Sequence, residues 1–233
     1  MAGVEAVTLD FYDTLVFHRE GQGRGRVLMD FLSEKGFSPG SWEHRILYDV
    51  FAGHSTAYAS RDPVVRGRYH VGLAERVFRS LAIPAPREEA ARWAEAIWRI
   101  LGPDSLALFP DVHSALTDLK QRGLRLAVLS NWQDGLGHFC EALGLAPYLD
   151  HVVCSAEVGF EKPDVRIFRH VSERLGVDPG CILHVGDRMR DDYRGGQDAG
   201  FRTLLLAREP GAEEDAEAFV RTLEDLPGRL DRM

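Results

Sequence analysis

Three small groups of polar residues stand at the ends of short apolar runs, where a side chain is well placed to meet a ligand. Asp10 closes the run Val4 to Leu9. Ser130 and Asn131 follow Leu124 to Leu129, and Gly186 and Asp187 follow Cys181 to Val185, with Asp191 and Asp192 a few residues on. Taken singly, an Asp or Ser after a strand reads as a helix cap or turn residue. Three strands each delivering acidic or small polar groups are hard to explain as packing. Carboxylates and a hydroxyl gathered in one place offer oxygen ligands for a hard cation, and nucleophilic or acid–base groups for a reaction.

The elements that must position these groups alternate in type. Besides the three runs above, His151 to Ser155 and Arg202 to Leu206 read as short buried strands. Helical stretches are predicted over 111–122, 134–143, 164–175 and 191–199. Short apolar strands separated by helices imply a parallel sheet in an α/β fold. The carboxyl ends of such strands share one edge, where ligands bind at the topological switch point. Between about 18 and 105 the character changes to helical periodicity at 24–35, 41–60, 65–81 and 87–101. Turn signals break it at Ser38-Pro39-Gly40, Asp62-Pro63 and Pro84-Ala85-Pro86. The expected architecture is a Rossmann-like parallel sheet core, residues 1–17 and 106–233, with an inserted all-helical domain, 18–105. The acidic stretch 212–230 is expected to be a surface helix.

Composition narrows the partners. The chain has 233 residues, 45% hydrophobic and 27% charged, as in an ordinary globular protein. No apolar run approaches the roughly 20 residues of a membrane helix, and the start lacks signal-peptide features. Cys140, Cys154 and Cys181 are scattered in apolar segments and read as buried thiols of a cytoplasmic protein. A formal charge of −8 without a basic block argues against nucleic acid as a partner. An acidic chain also repels phosphate esters, so a site for them needs a local cation.

The order of the polar groups resembles the haloacid dehalogenase superfamily, specifically its subgroup with a helical (C1-type) cap. Four motifs carry the resemblance: VTLDFYDTLV (7–16), LAVLSN (126–131), Lys162-Pro163-Asp164 within GFEKPDVRIF, and HVGDRMRDDYRGGQDAG (184–200). The resemblance implies a hydrolase acting on a small phosphorylated substrate, with Asp10 as nucleophile and Mg2+ as cofactor. By the same analogy Asp10, Asp187, the Tyr12 backbone carbonyl and Asp192, with Asp191 as an alternative, hold the metal. Ser130 and Lys162 stabilise the transferring group, while Thr14, Asn131 and Tyr12 line the substrate.

One position departs from the phosphatase pattern. The residue two after the nucleophile is usually a second Asp, the general acid and base; here it is Tyr12. Asp13 is one position off. A Tyr at this place resembles the 2-haloacid dehalogenases, which look metal-free, whereas this chain keeps Asp187, Asp191 and Asp192. Three readings stay open: a magnesium-dependent phosphatase, a dehalogenase-like enzyme, and a non-catalytic regulatory protein. His18 near the hinge is read as a surface-loop residue, Trp132 as pocket wall or core, and His184 as a satisfied core histidine. Arg66, Arg68, Tyr69 and His70 offer an anion contact or a charged helix face. Arg188 and Arg190 read as phosphate ligands or as counter-charges to the acidic pair, and Gly195 and Gly196 as sites of close packing.

Overall fold

The computed structural model describes residues 3–21, 23–40, 46–51, 62–209 and 218–232. Its strands are β1 (Ala6–Leu9), β2 (Val16–His18), β3 (Leu106–Leu108), β4 (Arg125–Ser130), β5 (His151–Cys154), β6 (Ile182–Gly186), β7 (Arg202–Leu206) and β8 (Phe219–Val220). The α-helices are α1 (Arg24–Glu34), α2 (Ile46–Phe51), α3 (Pro63–Ser80), α4 (Arg87–Leu101), α5 (Val112–Gln121) and α6 (Leu136–Ala142). They continue with α7 (Ser155–Val158), α8 (Val165–Leu175), α9 (Gly195–Asp198) and α10 (Leu226–Leu230). Among the described residues six strands form one sheet in the order β5-β4-β1-β6-β7-β8, and each of its pairings is parallel. This is the α/β class expected from the alternation of elements.

The sheet is built from residues that suit burial on both faces. Ala6, Val7, Thr8 and Leu9 of β1 are fully buried, as are Leu183 and Val185 of β6. Helix α8 covers part of it with Ile167, Phe168, Val171 and Leu175, whose spacing puts them on one stripe. Its start is capped by Asp164, which accepts from Arg166 N at 2.9 Å, and its end by Gly176 at φ 64°. Because β1 lies between β4 and β6, the chain runs to opposite sides of the sheet from its centre. The crevice at that reversal opens at the carboxyl ends of three adjacent strands.

By internal packing the chain divides into two compact units. One comprises Met1–Phe17, Leu108–Asn131 and Gly144–Met233; the other comprises His18–Ala107 and Trp132–Leu143. The segment 132–143, expected with the sheet, therefore packs with the helical unit. Trp132 and Phe139 explain why, with rings at 5.5 Å and the guanidinium of Arg24 4.0 Å above Trp132. Within that unit α3 starts at Pro63 after Asp62, whose carboxylate accepts from Val64 N at 2.8 Å. The apolar stripes of α3 (Leu73, Ala74, Val77, Phe78) and α4 (Ala90, Ala94, Ile97, Leu101) are buried as the two helices pack together.

Some expectations change. Strands β2 and β3, too short to show periodicity, pair as a separate two-stranded sheet. The helix expected over 41–60 is described only as α2, with 41–45 and 52–61 outside the described residues. Of the helix expected over 212–230, residues 212–217 also lie outside. Phe219–Val220 instead extends the sheet, because β-favouring apolar residues there find a free edge on β7. Among the described residues of that stretch only Leu226–Leu230 is α-helical. His18, expected in a surface loop, is buried and accepts from the Glu20 amide at 3.3 Å.

Candidate active site

Three neighbouring strands deliver the site. Leu9 of β1 is in register with Val128 of β4 and Val185 of β6, so Asp10, Ser130 and Gly186-Asp187 emerge at the same edge. The ladder continues one step further, since Asp10 N donates to Val185 O at 2.9 Å. After Asp10 the chain closes a tight turn: Leu15 N and Val16 N both donate to Phe11 O, and Asp13 N donates to Val16 O. Asp13 takes φ 61° to make that turn, a conformation open to Asp, Asn and Gly at modest strain. Tyr12 is half-buried and bridges to Val16.

Lys162 lies at the centre. Its Nζ donates to Asp10 Oδ1 at 2.7 Å and to Asp192 Oδ1, and all three residues are almost fully buried. Burial alone would lower the Lys162 pKa, but the Asp10 and Asp192 carboxylates outweigh it and hold the ammonium charged. Burial also acts on Asp192, yet the charge of Lys162 and a bond from His184 keep it ionised, well below the usual carboxylate range. Asp10 is raised, because burial and the Asp192 charge exceed the help from Lys162 and the Ser130 hydroxyl.

The carboxylates of Asp10, Asp187 and Asp192 offer oxygen atoms within 4.8 Å of one another, the one such group among the described residues. Burial, with the negative charges of Asp10 and Asp192, pushes Asp187 up to about 8. Two buried acids and a half-buried one against one buried ammonium is an arrangement short of positive charge, and hard oxygen ligands at this separation suit a divalent cation. Asp192 joins this group and Asp191 does not. The difference lies in the π-type turn Met189–Arg194, where Tyr193 N reaches back to Arg188 O and turns Asp192 inward. Gly186 makes room for it: a Cβ there would lie 2.2 Å from Asp192 Cγ.

Two residues expected at the substrate have partners within the protein. Thr14 is fully buried, and its hydroxyl donates to Asp187 Oδ1 at 3.4 Å. Asn131 is spent on the main chain of Lys162: Nδ2 donates to Lys162 O at 2.9 Å and Lys162 N donates to Oδ1 at 2.6 Å. It fixes the lysine that the site depends on. Trp132 is a buried residue of the helical unit.

Thr8 escaped sequence reasoning, and His184 was read only as a core histidine. His184 Nε2 lies 3.1 Å from Asp192 Oδ1 and its Nδ1 lies 2.8 Å from Thr8 Oγ1. An ionised carboxylate can only accept, so Nε2 carries the proton that faces it. Thr8 and His184 are register partners, a polar pair inside two otherwise apolar strands, which was the signal available. Arg188 gives its backbone N–H to Asp192 Oδ2 at 2.9 Å and its side chain to Asp187 at 3.2 Å. Its charge thus faces Asp187, and not the pair Asp191 and Asp192 that it was expected to offset. Gly195 and Gly196 pack as expected, against Pro163 and Thr203 at distances no Cβ would allow.

The profile of the haloacid dehalogenase-like hydrolases matches residues 4–200, and the chain belongs to that family. A glyceraldehyde 3-phosphate phosphatase of Methanothermobacter thermautotrophicus is 38% identical over 107 residues, covering 43% of this chain and 45% of that one. The chain spans about half the length of the curated relatives it matches. A HAD phosphatase from Thermococcus onnurineus has the same fold, with a TM-score of 0.64 and 22% identity over 97% of this chain and 98% of that one. A 2-haloacid dehalogenase from Pseudomonas syringae is equally alike, at 0.63 and 25% over 98% and 99%. Likeness of fold therefore does not choose between the two chemistries. Among the described residues no helix is long and apolar enough to cross a membrane.

Proposed function

We propose that the protein is a magnesium-dependent phosphatase of small phosphorylated metabolites, working through a phosphoaspartate on Asp10. The observation that carries this reading is the Lys162 bridge between Asp10 and Asp192 with Asp187 beside it. Asp10, Asp187 and Asp192, with the Tyr12 carbonyl, would hold Mg2+. Bound there, the ion would supply the positive charge that lets a phosphate dianion approach a carboxylate.

The chain's own residues do the rest. An Asp10 oxygen attacks phosphorus, and the bond from phosphorus to the leaving oxygen breaks with its electron pair going to that oxygen. Ser130 and Lys162 are donors already at the Asp10 carboxylate, and their positive ends favour the charge gathered in the transition state. Water then attacks the phosphorus of the phosphoaspartate; inorganic phosphate leaves with the water's protons and Asp10 returns to a carboxylate. Tyr12 supplies no acid for the leaving oxygen, a contribution usually worth about 10²–10⁴-fold. Substrates with good leaving groups, such as acyl and anhydride phosphates, fit this site best. The helical unit is assigned the role of a C1-type cap that selects the substrate. The cytoplasm is the proposed compartment, supported by three buried free cysteines.

Tyr12 also supports a second reading, halide displacement from a short 2-haloacid, which the acidic group speaks against. The test is phosphate release from acetyl phosphate and a panel of phosphate esters, with and without magnesium, beside Asp10→Asn. Magnesium-dependent release that the variant loses is the expected result. Release that survives Asp10→Asn contradicts the mechanism; halide release alone selects the second reading, and silence in both assays selects a binding protein.

A further inference from the structure

We infer that Arg208 is a positioning residue for the nucleophile turn, held in place by Asp111 and Phe109. It lies beyond the stretch matched by the family profile, which ends at residue 200. From the chain just past β7, its guanidinium makes a two-pronged contact with Asp111, at 2.9 and 3.1 Å. The same group donates to Thr14 O at 2.8 Å and stacks 3.8 Å above the ring of Phe109. Asp111 is fixed in turn by Leu223 N, which donates to its Oδ2 at 2.8 Å.

The target of this clamp is the turn that presents Asp10. Arg208 takes the carbonyl of Thr14, and Phe109 N takes the next carbonyl, Leu15 O, at 3.1 Å. Two consecutive peptide groups of the turn are thus held from outside it, by residues whose side chains stack on each other. Thr14 passes the constraint on, because its hydroxyl donates to Asp187. A planar guanidinium does what an ammonium cannot: it grips a carboxylate with two N–H groups, lies flat on an aromatic ring and still has an N–H for a carbonyl. A part-buried ion pair is weak evidence for stability alone, so its place at this turn points to geometry.

The inference rests on the proposed role of Asp10 for its kinetic arm only. The experiment compares wild type, Arg208→Met and Arg208→Lys by amide hydrogen exchange, by kcat and KM for acetyl phosphate with magnesium, and by thermal midpoint. In Arg208→Met the Leu15 and Val16 amides should exchange faster while the Leu183 and Val185 amides of β6 keep their protection. kcat should fall about 10–100-fold, as for a small misplacement of a reacting group, with KM changed less. Arg208→Lys, which restores one donor, should recover part of both. Unchanged exchange at the turn would overturn the inference. So would equal acceleration in β6, or a kcat per folded molecule equal to wild type. If wild type does not hydrolyse acetyl phosphate, the phosphatase reading loses support while the exchange comparison still decides the positioning role.

Discussion

Replacing Lys162 by Met removes the cation shared by Asp10 and Asp192 and keeps a side chain of similar length. In the wild type these residues are 3%, 6% and 1% exposed, so water cannot take over the lost contacts. Removing one partner of a buried ion pair destabilises by about 3–5 kcal/mol, because the other charge stays behind uncompensated. The loss should depend on pH. Without Lys162 the two carboxylates avoid bare burial by taking up protons, so Asp10, already raised, rises further and Asp192 is no longer held below the ordinary carboxylate range but moves above it. A carboxylate whose pKa is raised in the folded state holds a proton that the unfolded chain has released, and stability then falls as pH rises through that interval. The variant should therefore lie nearest to wild type at about pH 5 and furthest from it at about pH 8. Trp93, Trp98 and Trp132 all belong to the helical unit, so fluorescence would report on the other unit. Hydrogen exchange at the Leu9 and Asp10 amides, in metal-free buffer at both pH values, reads the sheet directly. A loss below about 1 kcal/mol at both, as for a solvent-exposed pair, would refute the reasoning.

Burial and neighbouring charges raise Asp187 from 3.8 to about 8. The metal-free protein should accordingly lose stability as pH rises across that window, with Asp10 acting in the same sense. Magnesium should raise the thermal midpoint more at about pH 8 than at about pH 6, and Asp187→Asn should remove most of the difference; equal shifts at both would contradict the assignment. Gly186→Ala places a methyl 2.2 Å from Asp192 Cγ, an overlap of the kind that destabilises by about 1–3 kcal/mol or more, measurable by urea unfolding. A variant as stable as wild type would mean that Asp192 is not held where the structure has it. Tyr12→Asp should raise kcat for alkyl phosphate esters by about 10²–10⁴-fold and change acyl phosphate turnover little, and absence of any gain would argue against the leaving-group account.

The sheet was readable because its strands are short, apolar and bounded by turn residues; β7 falls on Arg202–Leu206, as the pattern predicts. The same signal fails for β2, β3 and β8, which are three, three and two residues long. Periodicity needs more residues than that. At the site, Asp10 and Asp187 were legible as acids at the ends of strands, and Lys162 only through the motif shared with the family. Their partners were not, since Asn131 holds Lys162 across 31 residues of chain and Thr14 reaches Asp187 across 173. Such contacts follow from the sheet order, which no local pattern states. Asp191 and Asp192 were indistinguishable as letters; the π-type turn separates them by aiming only one inward. Arg208 lay outside every motif, and its partners Asp111 and Thr14 are 97 and 194 residues away.

The account turns on Asp10 as the group that carries phosphorus. The most direct measurement is rapid acid quench of the enzyme with acetyl phosphate and magnesium, followed by mass spectrometry of the peptide that contains Asp10. The account predicts a phosphoryl group on Asp10 that is absent in Asp10→Asn and absent without magnesium. Phosphate release in the same samples with Asp10 unmodified, and undiminished in Asp10→Asn, would contradict it.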